Sequence, residues 1–250
     1  MSQEQENNTA TPYTMQAIGY IRSCFTEKFG IPRQPLLAPS ATATLSLDAP
    51  FNDPDTVLGL EGVSHIWLSF IFHQHIDKPW KAKVRPPRLG GNKKVGVFAT
   101  RSSFRPNHLG LSVVKLERID TQFSEHQGTQ VILHLSGVDV LDGTPVVDIK
   151  PYVPYADSID GASNVLANEP PQLRRVIFHS DVDLFFSQVE SLESLPPLII
   201  EVLQQDPRPA YHQQHDERRY GMTLQGYNIA WVYQEQGGET VIVVVDVTPV

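Results

Sequence analysis

The sequence predicts a mainly β protein, with an N-terminal β-barrel followed by a small α+β domain. Three observations lead to this prediction. Short alternating or continuous apolar segments follow one another over the first two-thirds of the chain, proline and glycine separate them, and convincing amphipathic helices are scarce there. The predicted strands are 17–22, 43–47, 66–72, 95–99, 109–116, 131–135 and 146–149.

The last third of the chain has a different pattern, because apolar residues there recur with the period of a helix. One helix is predicted from about Asp181, with Ser180 as its N-cap. A second helix is predicted over 195–205, with Ser194 as its N-cap. These two segments account for the α component of the small domain.

Two strands, 222–234 and 240–247, are predicted to close the chain as a hairpin through Gly237 and Gly238. A turn-rich stretch precedes the helices and is interpreted as a linker. The predicted organisation is a flexible tail at 1–14, a β-barrel domain over 15–157, a linker at 158–172 and a small α+β domain over 173–250.

The composition is that of an ordinary globular protein, with 40% hydrophobic and 19% charged residues. No apolar run approaches the roughly 18 residues needed to cross a bilayer, and residues 2–11 lack the features of a signal peptide. Cys24 is the one cysteine, so no internal disulfide can form and a buried thiol is expected rather than a nucleophile. We therefore predict a cytoplasmic protein, and the spacing of His, Cys and acidic residues indicates no metal site.

The net charge of −8 conceals a strongly basic segment. Between Lys78 and Arg118 there are eleven lysines and arginines against the single acidic Glu117, so this segment carries +10 and the remainder −18. A concentrated basic segment on an acidic body favours a local site for a polyanion such as nucleic acid. The alternative is a basic loop that is simply solvated.

The densest polar segment is 84–112, where glycines and prolines alternate with basic residues. Predicted strands hold it at both ends, an arrangement typical of functional sites. The alternative is a surface loop whose arginines cap strand ends. Candidate site residues from this and three other segments are Arg85, Arg88, Arg101, Arg105, Asn107, Arg33, Gln34, His73, Gln74 and Asp139.

Several common catalytic motifs are absent from the sequence. It contains no GxGxxG after a strand, no GxxxxGK[ST], no HExxH and no GxSxG. The first two absences argue against a dinucleotide-binding Rossmann domain and a phosphate-binding loop. The last two argue against a zinc protease and an α/β-hydrolase.

The segment GVFATRSSFRPNHLGLS (96–112) strongly resembles the signature of the TrmO/TsaA-like family. The resemblance extends in order over nearly the whole chain, which makes chance similarity very unlikely. One departure is His108, where proline is expected in many bacterial relatives. The other matching motifs are IGYIRS (18–23), EKFGIPRQP (27–35), HIWLSFIFHQ (65–74), VRPPRLGGN (84–92), LDGTPVVDIKPY (141–152) and QDPRPAY (205–211).

This resemblance implies a homodimeric β-barrel methyltransferase that uses S-adenosylmethionine. Its implied substrate is the exocyclic amine of N6-threonylcarbamoyladenosine next to the anticodon of threonine tRNA. The resemblance also implies that a group of residues contacts the cofactor. They are Pro32, Arg33, Gln34, His73, Gln74, Arg101, Leu111, Ser136, Gly137, Val138 and Asp139.

Specific roles follow as hypotheses from the chemistry of methyl transfer to an aromatic amine. Asn107 is expected to accept the N–H bond of the acceptor amine, with Asp139 as the second candidate. The carboxylate of the threonylcarbamoyl group is expected to pair with Arg105 or Arg208. Contacts with tRNA are predicted for Lys81, Lys83, Arg85, Arg88, Lys93, Lys94, Arg208 and Tyr211.

Two other functions fit parts of the pattern. A non-catalytic RNA-binding barrel would explain the basic segment without requiring a cofactor. A methyltransferase or hydrolase acting on a small molecule in the same pocket would explain the polar loops without requiring tRNA. Cofactor binding and salt-sensitive tRNA binding separate these alternatives.

Overall fold

The N-terminal part is a closed barrel in the computed structural model, which describes residues 13–86, 93–124, 128–208 and 218–250. The N-terminal part contains eight strands within the described residues. They are β1 (Gly19–Ser23), β2 (Thr42–Leu47), β3 (His65–Ile71), β4 (Lys83–Val84), β5 (Val95–Gly96), β6 (Leu109–Ser124), β7 (Gly128–Ser136) and β8 (Pro145–Pro151). Six of them pair antiparallel around the barrel in the order β1-β2-β7-β6-β3-β8, and β8 pairs again with β1. The predicted mainly β fold with a barrel is therefore confirmed.

The barrel closes because successive side chains alternate between its interior and its surface. On β3 the side chains of Ile66, Leu68 and Phe70 are buried, while the residues between them are partly exposed. Burying these apolar side chains from all six strands forms one core. The sequence pattern thus located the six barrel strands, although β6 and β7 extend beyond the predicted 109–116 and 131–135.

Beside the barrel, β4 and β5 form a separate two-stranded ribbon. The predicted strand 95–99 was too long, because residues 97–99 form a 3₁₀ turn instead. The backbone N–H of Thr100 donates to Val97 O over 3.1 Å and closes this turn. Further 3₁₀ turns lie at Pro54–Val57, Leu60–Gly62, His73–His75 and Glu190–Leu192.

A short helix, α1 (Pro154–Asp157), follows the barrel, and residues 158–175 form neither helix nor strand. The small domain combines two helices with a four-stranded sheet. The elements are β9 (Val176–Phe178), α2 (Ser180–Gln188), α3 (Leu195–Leu203), β10 (Tyr220–Leu224), β11 (Tyr227–Gln236) and β12 (Glu239–Pro249). In the sheet β9 pairs parallel to β12, and the other pairs are antiparallel, in the order β10-β11-β12-β9.

Several local predictions for this domain were wrong. The predicted strand 222–234 is two strands, because Gln225 and Gly226 have φ values of 50° and 79° and form a hairpin turn. The N-cap of α2 is His179 rather than Ser180, since the His179 side chain accepts from Asp181 N. Ser194 is the N-cap residue of α3, as predicted, although its side chain makes no cap hydrogen bond. The hairpin at Gly237 and Gly238 is confirmed.

The two domains share one hydrophobic core. The segment 24–40, between β1 and β2, lies between them. On its small-domain side Phe29 stacks on Trp231 with ring centroids 5.9 Å apart, and Glu201 accepts hydrogen bonds from both the backbone N and the Oγ of Ser40. The small domain thereby holds in place the segment that carries Pro32, Arg33 and Gln34.

Two further findings concern the described part of the chain. None of its helices is both long enough and apolar enough to cross a membrane. Its His, Cys, Asp and Glu side chains form no group of three or more that could hold a metal ion.

Candidate functional site

Two of the predicted cofactor segments meet through a direct side-chain contact. Arg101 lies after the 3₁₀ turn 97–99, and Gln34 lies on the segment between β1 and β2. Arg101 Nη1 donates to Gln34 Oε1 over 2.6 Å. The exposed guanidinium of Arg101 is therefore held by its partner and retains further N–H groups for a ligand.

A third predicted segment, at the end of β7, joins the same loop through the backbone. Gly137 O accepts from Leu36 N over 2.8 Å, and Gly137 has φ 68°, which favours glycine. A Cβ at position 137 would lie 2.6 Å from Leu36 Cδ2, so a larger residue would push the two loops apart. The hydroxyl of Ser136 donates to Glu117, and the Val138 side chain is buried in the core. Val138 can thus offer a ligand only its backbone groups, whereas the hydroxyl oxygen of Ser136 can still accept a hydrogen bond.

Asp139 is the most perturbed acid of the site. Its Oδ1 accepts from the hydroxyl of Ser112, over 2.6 Å, and Ser112 is itself buried on β6. Burial raises the pKa of Asp139 from its ordinary 3.8 to about 6, although the Ser112 hydrogen bond and the charge of Arg101 both act to lower it. Asp139 can therefore exchange a proton near neutral pH, as a general base must.

The remaining predicted cofactor residues lie on other elements. His73 and Gln74 lie in the 3₁₀ turn after β3, and burial lowers the pKa of His73, so its imidazole is neutral at pH 7. Leu111 lies on β6 between two inward-facing residues, and its side chain is 53% exposed on the outer face. Pro32 is buried and Arg33 is exposed.

The loop 100–108 carries the predicted reactive groups. Arg105 is half-buried, and its Nη1 donates to Thr100 O over 2.7 Å, which folds the loop back on itself. The Asn107 side chain is exposed and forms no hydrogen bond within the described part of the chain. His108 has φ 50°, and a proline ring cannot adopt this value. The expected proline at this position would therefore be incompatible with the loop backbone of this chain.

The predicted tRNA-binding cations of the ribbon form a basic surface, which we call the basic ribbon. Its five side chains are all exposed. Within the described ranges, none of them forms a salt bridge, so their charges are uncompensated there. The basic ribbon consists of Lys81, Lys83, Arg85, Lys93 and Lys94.

Arg208 does not lie where the sequence interpretation put it. Its guanidinium is buried, binds Asp206 over 2.9 Å and lies 3.7 Å from the ring centroid of Tyr233. Because this cation is already paired inside the small domain, it is not displayed to a phosphate or to a substrate carboxylate. Arg88 and Tyr211, also predicted to contact tRNA, lie outside the described residues.

Two other features are separate from this site. Burial raises the pKa of Cys24 to about 11, so its thiol is protonated and unsuited to nucleophilic attack. A cavity of about 340 Å³ lies on the small domain, beside the ion pair of Arg219 and Asp246. Its Glu27 carboxylate already accepts from Thr223 N, so its polar groups are largely paired.

Ser112 is the site residue that the sequence interpretation missed. It occupies an inward position of β6, where the neighbouring inward residues are Gly110, Val114 and Leu116. A hydroxyl in an otherwise apolar inward series needs a hydrogen-bond partner, and this pattern is the signal that could have identified it. Its partner proved to be the predicted Asp139.

Comparisons with known proteins match both domains. The family model of the tRNA-methyltransferase O N-terminal domain matches residues 20–158, and that of the TrmO C-terminal domain matches residues 170–250. The chain is 48% identical over 230 residues to a putative S-adenosylmethionine-dependent methyltransferase, RcsF, of Pseudomonas aeruginosa, covering 88% of this chain and 93% of the relative. It is 45% identical over 233 residues to the tRNA (adenine(37)-N6)-methyltransferase of Escherichia coli, covering 91% of this chain and 96% of the relative.

A solved crystal structure also resembles this chain over nearly its whole length. The crystal structure of TrmO from Pseudomonas aeruginosa matches with a TM-score of 0.74 and 40% identity, covering 95% of this chain and 99% of that chain. Family models that together span most of the sequence, and relatives this similar over nearly their full length, establish the family. This chain belongs to the tRNA-methyltransferase O family.

Proposed function

We propose that this chain transfers a methyl group from S-adenosylmethionine to the exocyclic amine of adenine 37 in tRNA. More specifically, we propose that the acceptor is N6-threonylcarbamoyladenosine in threonine tRNA. The observation that carries the proposal is two hydrogen-bonded pairs, Arg101 with Gln34 and Ser112 with Asp139, in which the charge of Arg101 acts on Asp139, in a chain of the tRNA-methyltransferase O family. Relatives named tRNA (adenine(37)-N6)-methyltransferase support the reaction class.

The side chains of these pairs fit the polar groups of the cofactor. Arg101 can pair with the carboxylate of its methionine part, and Asp139 can accept from its ammonium or ribose hydroxyl groups. The backbone of residues 136–138 and the amide of Gln34 supply further donors and acceptors. Leu111 offers an exposed apolar surface to the adenine ring. When bound, S-adenosylmethionine supplies a methyl group on a cationic sulfur that leaves as a neutral thioether.

The protein must then orient the acceptor nitrogen and take up its proton. That nitrogen is a poor nucleophile because its lone pair is delocalised into the adenine ring. We propose that the Asn107 amide oxygen accepts the N–H bond and so raises electron density on nitrogen. Asp139 is the alternative acceptor, and its raised pKa suits removal of the proton. Residues that fix both reactants in line supply much of the rate enhancement.

The basic ribbon is proposed to bind tRNA phosphates. Exposed, unpaired lysines and arginines release counterions when they neutralise phosphates, which gives binding that falls steeply with salt. Arg105 is proposed to pair with the threonylcarbamoyl carboxylate. Among the described residues, Arg105 donates through Nη1 to Thr100 O alone, so its other guanidinium N–H groups can form a bidentate pair.

We also propose that the protein is a homodimer and acts in the cytoplasm. Leu111 and Phe98 are exposed apolar side chains, 53% and 76% accessible, that a second copy could cover. Light scattering on the purified protein tests the dimer, and fractionation tests the location.

A reaction with purified components tests the function. The protein is incubated with methyl-labelled S-adenosylmethionine and threonine tRNA with or without the threonylcarbamoyl group, and nucleosides are analysed by mass spectrometry. We expect one added methyl on the modified adenosine. Absence of cofactor binding by calorimetry would instead indicate a non-catalytic RNA-binding barrel. Cofactor binding without salt-sensitive tRNA binding would indicate a small-molecule enzyme.

A further inference from the structure

Trp80 is an exposed tryptophan that the protein itself does not engage. Its side chain is 53% accessible, and within the described ranges it forms neither a hydrogen bond nor a ring contact. The other two tryptophans are engaged, since the Trp67 indole N–H donates to Asp157 over 3.0 Å and the buried Trp231 stacks on Phe29. A single exposed apolar side chain is ordinary, so the surroundings of Trp80 decide what it can bind.

The contacts of the next residue fasten Trp80 to the loop 100–108. Lys81 N, which belongs to the peptide group that follows Trp80, donates to Phe104 O over 3.1 Å. The Lys81 ammonium also lies 4.0 Å from the centroid of the Phe104 ring. Arg105, the residue proposed to pair with the substrate carboxylate, directly follows Phe104. Trp80 is therefore one peptide group away from the loop that is proposed to hold the acceptor base.

The chain around Trp80 is basic after its acid is counted. Residues 73–85 contain four lysines and arginines against Asp77 as the single acid, which leaves a net charge of +3. Residues 95–112, which include β5 and the loop 100–108, contain no acid. Exposed aromatic rings between cations are the arrangement with which proteins bind single-stranded nucleic acid, because bases stack on the rings while the cations neutralise phosphates.

We propose that Trp80 stacks on an unpaired base of the tRNA anticodon loop next to the acceptor adenosine. This inference rests on the proposed function, because it takes the substrate to be tRNA. An anticodon loop is single-stranded, so its bases can be splayed apart and stacked on protein side chains. When the loop 100–108 holds the acceptor base, the neighbouring base meets the adjacent indole, and Lys81 is placed to neutralise a phosphate of the same strand. Such stacking adds affinity without reading the sequence.

The variant Trp80→Ala tests the proposal through its affinity for threonine tRNA between about 50 and 200 mM salt. We expect roughly tenfold weaker binding at every salt concentration, because the loss of one base–aromatic stack has an effect of this size. Since stacking neutralises no phosphate, the slope of log affinity against log salt should not change. Lys81→Ala should instead make this slope shallower by about 0.7.

Fluorescence gives a second measurement that a purely structural role would not alter. A base stacked on an indole quenches its emission, and the protein itself already engages the indoles of Trp67 and Trp231. Adding threonine tRNA should therefore quench the emission of the wild-type protein, and this quenching should be absent from Trp80→Phe. Because Trp80→Phe keeps an aromatic face, it should retain most of the tRNA affinity.

Another exposed aromatic residue and a duplex RNA serve as controls. Phe123 is 77% accessible and lies near the end of β6 remote from the loop 100–108, so Phe123→Ala should leave tRNA affinity unchanged. A duplex RNA of similar length offers no unpaired base, so Trp80→Ala should bind it as tightly as the wild type does. Trp80→Ala should also keep the wild-type affinity for S-adenosylmethionine and the wild-type oligomeric state.

Several outcomes overturn the inference. Unchanged tRNA affinity in Trp80→Ala removes the stacking contact, and so does persistent quenching in Trp80→Phe, which remains a test if the alanine variant fails to fold. An equal loss of affinity for duplex RNA assigns the indole to the RNA backbone. Lower affinity for S-adenosylmethionine assigns it to the cofactor, and a changed oligomeric state assigns it to a subunit interface.

The inference and the proposed function can fail separately. Wild-type protein that does not bind tRNA overturns the stacking contact and the tRNA substrate together. Wild-type protein that binds tRNA through Trp80 but transfers no methyl group refutes the proposed reaction and leaves the stacking site in place.

Discussion

Replacing Asp139 with asparagine should stabilise the protein at neutral pH while impairing its activity. The substitution keeps the size of the side chain and an oxygen that can accept from the Ser112 hydroxyl. It removes a carboxylate that is charged at neutral pH. Its buried surroundings disfavour that charge, which is why its pKa is raised to about 6. Sites that hold such a group for function commonly do so at a cost in stability.

The magnitude follows from the pKa difference between the folded and unfolded chain. Between the ordinary 3.8 and about 6 the cost is about 3 kcal/mol, at roughly 1.4 kcal/mol per pH unit. Because Asp139 retains some exposure, we treat this as an upper bound and expect about 1 to 3 kcal/mol. The folded-state pKa is raised, so the folded protein binds the proton more tightly. The contribution of Asp139 to the free energy of unfolding is therefore fully present below about pH 4 and is lost as the pH rises to about 6.

Urea unfolding of the wild type and Asp139→Asn from about pH 4 to pH 8 measures this difference. The two proteins should be nearly equally stable at the acid end, the variant should become progressively more stable between about pH 4 and pH 6, and the difference should level off above about pH 6. Asp148→Asn is a matched control, since it removes a surface carboxylate paired with Lys150 and should cost at most about 1 kcal/mol. A stability difference that stays constant with pH would refute a raised pKa at Asp139.

Three further substitutions test the proposed roles. Ser112→Ala removes a hydrogen bond that lowers the pKa of Asp139, so the acid limb of the kcat/KM profile should move to higher pH. An unchanged pH profile would exclude Asp139 as the titrating group. Asn107→Ala should lower kcat roughly 100-fold or more with little change in cofactor affinity by calorimetry, and near-normal turnover would show that Asn107 does not accept the N–H bond. Arg105→Ala should weaken methylation of threonylcarbamoyl tRNA while leaving cofactor affinity unchanged, and an equal loss of binding to modified and unmodified tRNA would contradict pairing with the carboxylate.

The barrel could be predicted because each of its strands buries one face. Apolar residues therefore recur at every second position of the sequence, and this pattern indicates a strand. The small domain was harder. Its strand β9 has only three residues and pairs parallel to β12, more than 60 residues away, so no local pattern announces it. The turn at Gln225 and Gly226 was missed because glutamine rarely takes a positive φ.

Candidate site residues could be predicted only where they belong to a contiguous sequence motif. Loops containing Gln34, Arg101 and Asp139 could each be identified, but nothing in their spacing shows that Arg101 contacts Gln34. Arg208 illustrates the opposite limit. From the sequence alone, the polar motif around Arg208 suggests a phosphate contact. In the structure the Arg208 guanidinium is buried and already paired with Asp206.

The contacts of the segment 24–40 show how both domains of this chain position one loop of the proposed site. The loop that presents Gln34 has no regular secondary structure of its own, and such a loop would lose much of its binding energy to ordering. The barrel fixes it through Leu36 and Gly137, and the small domain fixes it through Ser40 and Glu201 and through the stacking of Phe29 on Trp231. A loop anchored from both sides holds its polar groups in place before a ligand arrives. The small domain therefore contributes to the proposed cofactor site without supplying any of its predicted contact residues.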